Sequence, residues 1–376
     1  MPDPPHPLEP PVPDRLATGT AAPAATTSNV AWLAGLSPWP ADGFGLGRMR
    51  ALLAALGEPQ RSYPAIHVVG TNGKTTATRR IEAGLLREGL SVGSTVSPHV
   101  RSWSERIALD GDDADLEGAL ARVRPDAERL EATQFEALTA AALVAFAEHG
   151  VDVAVVEAGL GGRHDATNVL DVRVVLLTGV GLEHVDVLGD TVEAIATEKL
   201  AVAHEGAVAV LPDERWAAQL PAGVEHVLGG AQEAVEAFLG RAVGPLPEVA
   251  VPGRLERRPG EVRDGAHNPD GARWLARELA GERFVLCVSL LADKDADAML
   301  EALAPLGDRL VATASSNARV LSAAELAARA QRWFADVEVV EAPVAALARA
   351  HALGTPVLVT GSLYLLADLA ASEAPP

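Results

Sequence analysis

Lys74 stands in "HVVGTNGKTTATR" (67–79), behind a glycine turn and directly ahead of two hydroxyls, Thr75 and Thr76. Gly70 and Gly73 let backbone N–H groups converge on phosphate oxygens, the start of the following helix adds partial positive charge, and the Lys74 ammonium adds a full one. The usual phosphate loop has a glycine five residues before the Gly-Lys pair, where this chain has Val68; Gly70 sits only three ahead. The spacing departs from the rule, but the context of strand, glycine turn, lysine, hydroxyls and helix fits nucleotide binding. The plainer alternative is an ordinary strand-to-helix turn with a solvated lysine. Either Thr75 or Thr76 is placed to hold a magnesium ion.

Other polar residues fall at the ends of apolar runs. "VVEAGLGGRHDATNV" puts Glu157 at the C-terminal end of a buried strand and then turns on glycines. "GVGLEHVDVLGDT" does the same with His184, and "SPH" brings Ser97 to the end of "SVGSTV". Ligands of open α/β sheets sit outside such strand ends. A magnesium ion prefers oxygen ligands, so His184 by itself reads as a structural or surface histidine; beside Glu157 a metal role is favoured. Lys199, in "IATEKLAV", follows on a predicted helix, where a solvated lysine is the ordinary expectation.

Something must position these groups, and the pattern names it. "AIHVV", "VDVAVVEAG" and "VRVVLLTGVG" are continuous apolar runs, as expected of parallel strands covered on both faces. Between them lie helical stretches such as "FEALTAAALVAFAEHG", stopped by Gly150. Residues 1–28, rich in Pro, Ala and Thr without periodicity, read as a disordered tail. Residues 29–240 read as a first α/β domain and 241–252, with prolines, as a linker. In 253–376, "FVLCVSL", "RLVATA", "VEVVE" and "PVLVTG" alternate with helical segments, a second and smaller α/β unit. The expected class is therefore α/β: a phosphate-loop domain with a mostly parallel sheet, then a smaller Rossmann-like domain, with a cleft between them.

Composition bounds the partners. The chain has 376 residues, 48% of them hydrophobic, and a formal charge of −20, which argues against nucleic acid or an anionic membrane. Any anionic ligand must then meet a locally basic or amide-rich pocket. Cys287 is the only cysteine, no apolar run approaches the ~20 residues of a membrane span, and no signal-peptide pattern opens the chain. A soluble cytoplasmic protein, monomeric and acting on small molecules, is the expectation.

Assembled, these pieces resemble the folylpolyglutamate synthase/dihydrofolate synthase family of the Mur-type amide ligases. The blocks, in order, are "GTNGKTT", "SPH" with "SERI", "TQFEALT", "EAGLGGRHDATNV", "LEHVDVLGDT", "EKLAV", "GRLE", "DGAHNPDGA", "DKD" and "GSLYLL". The resemblance runs from about Asn29 to Leu369, and that family has the short glycine spacing seen here. It implies an ATP-dependent ligase joining L-glutamate to a folate or to dihydropteroate, with two magnesium ions. Thr71, Asn72, Gly73 and Lys74, with Thr75 and Thr76, would hold the ATP phosphates. Ser97, Glu157 and His184 would be magnesium ligands, and Lys199 matches a lysine that is carbamylated. In the second domain Arg254 and Asp264 match ATP-contacting positions, while His267 and Ser362 match positions for the incoming glutamate. Thr133, Gln134, Phe135 and Glu136, with His164, Asp165 and Ala166, match the pterin side. Lys74, Lys199 and His267 would be the catalytic groups. Three positions depart from the family pattern: Thr75 replaces a glycine, Glu183 an aspartate, and His164 a leucine. A Mur-type ligase for another acid, such as a cell-wall precursor, and a phosphate-loop phosphotransferase are the rival readings.

Overall fold

The computed structural model describes residues 28–40 and 43–373. Apart from Ser28, which caps the helix Asn29–Ala34, the expected tail 1–28 lies outside the described residues.

The first sheet contains β1 (Ala65–Val69), β2 (Val92–Thr95), β3 (Ile107–Leu109), β4 (Asp112–Asp113), β5 (Val153–Glu157), β6 (Val172–Leu177), β7 (Val208–Leu211) and β8 (Glu225–Leu228). Their spatial order is β4-β3-β2-β5-β1-β6-β7-β8. The pairs from β2 to β8 are parallel, while β3 and β4 close one edge antiparallel. Strands β1 and β5 are buried at every residue, which is why they read as unbroken apolar runs rather than alternating ones. Ala65, Ala154 and Val156 face the helices Leu116–Arg129 and Gln134–His149. Ile66, Val68, Val153 and Val155 face the helices Lys74–Arg87 and Ala231–Leu239 on the other side.

The second sheet contains β9 (Glu256–Arg258), β10 (Glu261–Arg263), β11 (Val285–Val288), β12 (Arg309–Ala312), β13 (Asp336–Val339) and β14 (Val357–Thr360). They run in the order β13-β12-β11-β14-β10-β9, parallel except for β9. Leu286, Val288 and Leu310 pack on one side, Cys287, Val311 and Val359 on the other, so helices cover both faces again.

Residues 241–252 carry no regular element, but they are strapped to the first sheet's helix layer. Leu246 is buried, and a Cβ on Gly84 of the helix Lys74–Arg87 would meet its Cδ2 at 2.5 Å. Arg87 donates to the carbonyls of Gly244 and Pro245. No helix among the described residues is long and apolar enough to cross a membrane.

Candidate active site

Four neighbouring parallel strands, β2, β5, β1 and β6, end at one edge of the first sheet. Ser97 follows β2, Glu157 closes β5, the phosphate loop leaves β1, and Gly179 to His184 leave β6. In the second sheet Asp264 follows β10, and the adjacent β14 leads into Ser362. One cavity of 1210 Å³ is lined by the first set and, from the second sheet's side, by Asp264, His267 and Leu363. Pockets for drug-sized ligands run from roughly 300 to 1,000 Å³, so this one has room for a nucleotide and part of a second substrate.

The loop geometry needs its glycines. Gly70 has φ +150°, and a Cβ there would lie 2.1 Å from Thr178 Oγ1. Gly73, with φ +84°, caps the helix that begins at Lys74 in a left-handed conformation that only glycine adopts without strain. Thr178 Oγ1 donates to the carbonyl of Asn72 at 2.7 Å, and Thr71 Oγ1 accepts from Gly181 N at 3.1 Å. The β1 and β6 loops are thereby tied to each other.

Charges crowd this edge. Lys74 Nζ donates to Gly70 O at 3.1 Å, and Lys199 Nζ donates to the same carbonyl at 2.9 Å. Lys199 is buried; burial first and repulsion by Lys74 second push its ammonium down to about 7. Glu157 is also buried, accepting from Thr75 Oγ1 at 3.2 Å and from Ser97 N at 3.1 Å. Burial raises its carboxyl above the usual range against the pull of Lys74. Burial would raise Glu183 too, but His267, Lys74 and His184 together outweigh it and bring that carboxyl down to about 2.

The two halves touch here. Glu183 Oε1 lies 3.4 Å from His267 Nε2, while His267 Nδ1 is 2.9 Å from Gly265 O. Asn72 and Asn268 exchange two amide hydrogen bonds of 3.1 and 3.0 Å, joining the phosphate loop to the first turn of the helix Pro269–Glu278. Asp264 is buried and accepts from Leu255 N at 2.7 Å and Ala266 N at 2.8 Å, which shapes the loop that presents His267.

Two family models match the chain: the Mur ligase middle domain over residues 68–228 and the Mur ligase glutamate ligase domain over residues 253–363. The chain is 35% identical over 379 aligned positions to the dihydrofolate synthase/folylpolyglutamate synthase of Mycobacterium tuberculosis, covering 77% of this chain and 78% of that protein. The chain belongs to the dihydrofolate synthase/folylpolyglutamate synthase family. The Bacillus subtilis enzyme of the same name is 29% identical, over 86% of this chain and 94% of its own. Among solved structures, M. tuberculosis folylpolyglutamate synthase complexed with ADP and AMPPCP superposes with a TM-score of 0.82 at 31% identity, covering 88% of this chain and 96% of that one. The Yersinia pestis bifunctional enzyme, complexed with AMPPNP and manganese, gives 0.80 at 28% identity, over 94% of this chain and all of that one (100%).

In this family member, Thr71 to Thr76, Ser97, Glu157, His184, Lys199, Arg254, Asp264 and His267 all line the cavity. The residues expected on the pterin side and Ser362 are not among those that line it. Thr133 and Glu136 form a reciprocal cap on the helix Gln134–His149, and Glu136 is also paired with Arg48 at 2.8 Å. Gln134 donates to Leu33 O. Phe135 packs on Gly159, where a Cβ would meet its ring at 2.6 Å. Asp165 is buried and accepts from Leu160 N and Thr167 N, Ala166 is buried, and His164 is exposed. Ser362 is buried, its Oγ accepting from Tyr364 N at 3.1 Å.

Sequence reasoning missed Arg80, Arg257, Arg273, Trp274 and Arg277, which also line the cavity. The available signal was Arg273 and Arg277, one helical turn apart beside Trp274, directly after "DGAHNPDGA". Glu183 registered only as a departure from the family pattern, because its partner His267 is remote in sequence.

Proposed function

We propose that the protein is an ATP-dependent ligase joining L-glutamate to a folate, to dihydropteroate, or to both, through an acyl phosphate. The observation that carries this reading is that the phosphate loop with Lys74 and the second sheet's His267 loop face one cavity and touch across it. ATP phosphates fit the Thr71–Thr76 loop, where Lys74 exchanges the Gly70 carbonyl for phosphate oxygens.

Among the described residues no three His, Cys, Asp or Glu side chains form a ready-made metal cage. Magnesium commonly binds through one or two carboxylates together with substrate phosphates, so the oxygen donors here fit it. Glu157 would hold it with Thr75 or Thr76, Ser97 and His184, and the ion would neutralise charge on the phosphate oxygens. Lys199 supports the carbamate reading, since CO₂ adds to a neutral amine and burial favours that form. A carbamate also replaces one of two ammoniums crowding Gly70 O with an anion.

The acceptor carboxylate attacks the γ-phosphorus as the bond to the ADP oxygen breaks. Lys74 meets the transferring charge, and positioned cations suffice for such a step. The glutamate amine then attacks the acyl carbon and loses its proton, and phosphate leaves carrying one oxygen of the acceptor carboxylate. His267, on the cavity wall, is the candidate glutamate contact, with Ser362 buried beyond the lining; Glu183 and Gly265 O orient the His267 ring. Closure of the second sheet over the first keeps water from the acyl phosphate.

Purified protein with ATP, magnesium and L-glutamate tests this by ADP release. Sustained release is expected only when glutamate is accompanied by dihydropteroate or tetrahydrofolate. Release that ignores both acceptors, or none with either, contradicts it.

A further inference from the structure

The "SERI" stretch contributes Arg106, which has no place in the scheme so far. Its guanidinium stacks on the ring of Trp103, 4.4 Å from the centroid, and its Nε donates to His99 Nδ1 at 2.9 Å. With one face on an indole and Nε committed, Nη1 and Nη2 are the donors that remain. Among the described residues neither Nη1 nor Nη2 has a hydrogen-bond partner, and no carboxylate is within ion-pair distance. The nearby acids are occupied. Glu105 accepts from the backbone of Val100, Arg101 and Ser102, and Glu157 from Thr75 and Ser97. By contrast, Arg48, Arg79 and Arg263, also enclosed, are each paired with a glutamate.

A cation that has lost much of its hydration without gaining a counter-ion is costly. Burial already pulls the Arg106 guanidinium below its usual range, with Glu157, Tyr364 and Glu105 only partly countering. A stacked, pinned guanidinium with a free two-nitrogen edge matches a carboxylate in bidentate geometry.

The sheet order says which substrate brings that carboxylate. Arg106 O accepts from Val96 N, so the side chain leaves from beside the end of β2, next to Ser97. The phosphate loop lies two strands away on β1, and Glu183 with His267 lies beyond it, at β6. Arg106 and the candidate glutamate contact His267 thus stand at opposite ends of the row, with the phosphates between. We propose that the free edge of Arg106 binds a carboxylate of the acyl acceptor and so positions the acceptor for phosphorylation; this rests on the ligase reading.

The test is acceptor kinetics and calorimetric acceptor binding for wild type, Arg106→Gln and Arg106→Lys, with tetrahydrofolate and with dihydropteroate. Loss of a charge-assisted pair is expected to raise the acceptor KM and Kd of Arg106→Gln by ~10- to 100-fold. The KM values for ATP and glutamate and the thermal midpoint should stay near wild type, and Arg106→Lys should recover part of the loss. A rise with both acceptors assigns the reacting carboxylate; a rise with tetrahydrofolate alone assigns its second carboxylate. Unchanged acceptor KM and Kd, or a rise confined to glutamate, overturns the proposal. The wild-type rates separately test the ligase reading, and the variant-to-wild-type ratio tests Arg106.

Discussion

Lys74 and Lys199 both donate to one carbonyl, that of Gly70. Two like charges so close are stable only if one is relieved, by a bound phosphate or by loss of charge at Lys199. The depressed lysine is the one sealed from water. Because its folded-state value lies below that of an unfolded lysine, the unfolded chain binds more protons between about 7 and 10.5, and the group becomes less unfavourable to folding as pH rises through that window. The neutral amine that accepts CO₂ grows over the same approach from acid. Activity at fixed bicarbonate, and a labile CO₂ adduct seen by carbon NMR, are therefore expected to rise as pH passes upward through about 7. Lys199→Arg keeps a positive charge and cannot be carbamylated, so a loss of at least ~10²-fold in kcat is expected, comparable to losing one preorganised electrostatic group. Near-wild-type activity in Lys199→Arg would remove the carbamate and leave a plain buried lysine.

At the scale of elements, the site exists because four adjacent strands end together, and their apolar continuity made them readable. β1 and β5 are buried on both faces, so no polar alternation hides them. The polar residues that end them, Glu157 and the phosphate loop, stand out against that background. The capping residues were harder to place. Thr133 and Glu136 satisfy each other at a helix start, as the Thr-x-x-Glu spacing allows, but Arg48, which completes the arrangement, is 88 residues away in sequence. Likewise His67 is buried beneath the loop, its Nε2 2.8 Å from Thr167 Oγ1, which donates to Asp165. These links tie the 159–167 loop to β1 and have no signature in a linear chain. If the Thr133 hydroxyl acts mainly as a cap, Thr133→Ala should lower unfolding free energy by about 1 kcal/mol in denaturant titration. The acceptor KM should then move little; a large rise in KM at unchanged stability would instead put Thr133 in contact with the acceptor.

At the scale of the whole molecule, a chain of net charge −20 must still receive polyanions. The cavity solves this locally. Seven Lys and Arg line it (Lys74, Arg80, Lys199, Arg254, Arg257, Arg273 and Arg277) against five acids, Glu157, Glu183, Glu248, Asp264 and Asp270. Field focusing in such a cleft attracts anionic substrates even when the rest of the surface repels them. The cations come from both sheets, and the Asn72–Asn268 and Glu183–His267 contacts hold the two edges in register. That arrangement fits the proposed reaction, in which a phosphoryl group passes to a carboxylate and an amine then displaces the phosphate. The most direct measurement follows an oxygen atom. The acceptor is labelled with ¹⁸O in its carboxylate and turned over with ATP, magnesium and glutamate, and the released phosphate is analysed by mass spectrometry. One labelled oxygen per phosphate is expected, because the departing group carries the carboxylate oxygen that attacked phosphorus. Phosphate free of label, with the amide product formed, would contradict the acyl phosphate and the account built on it.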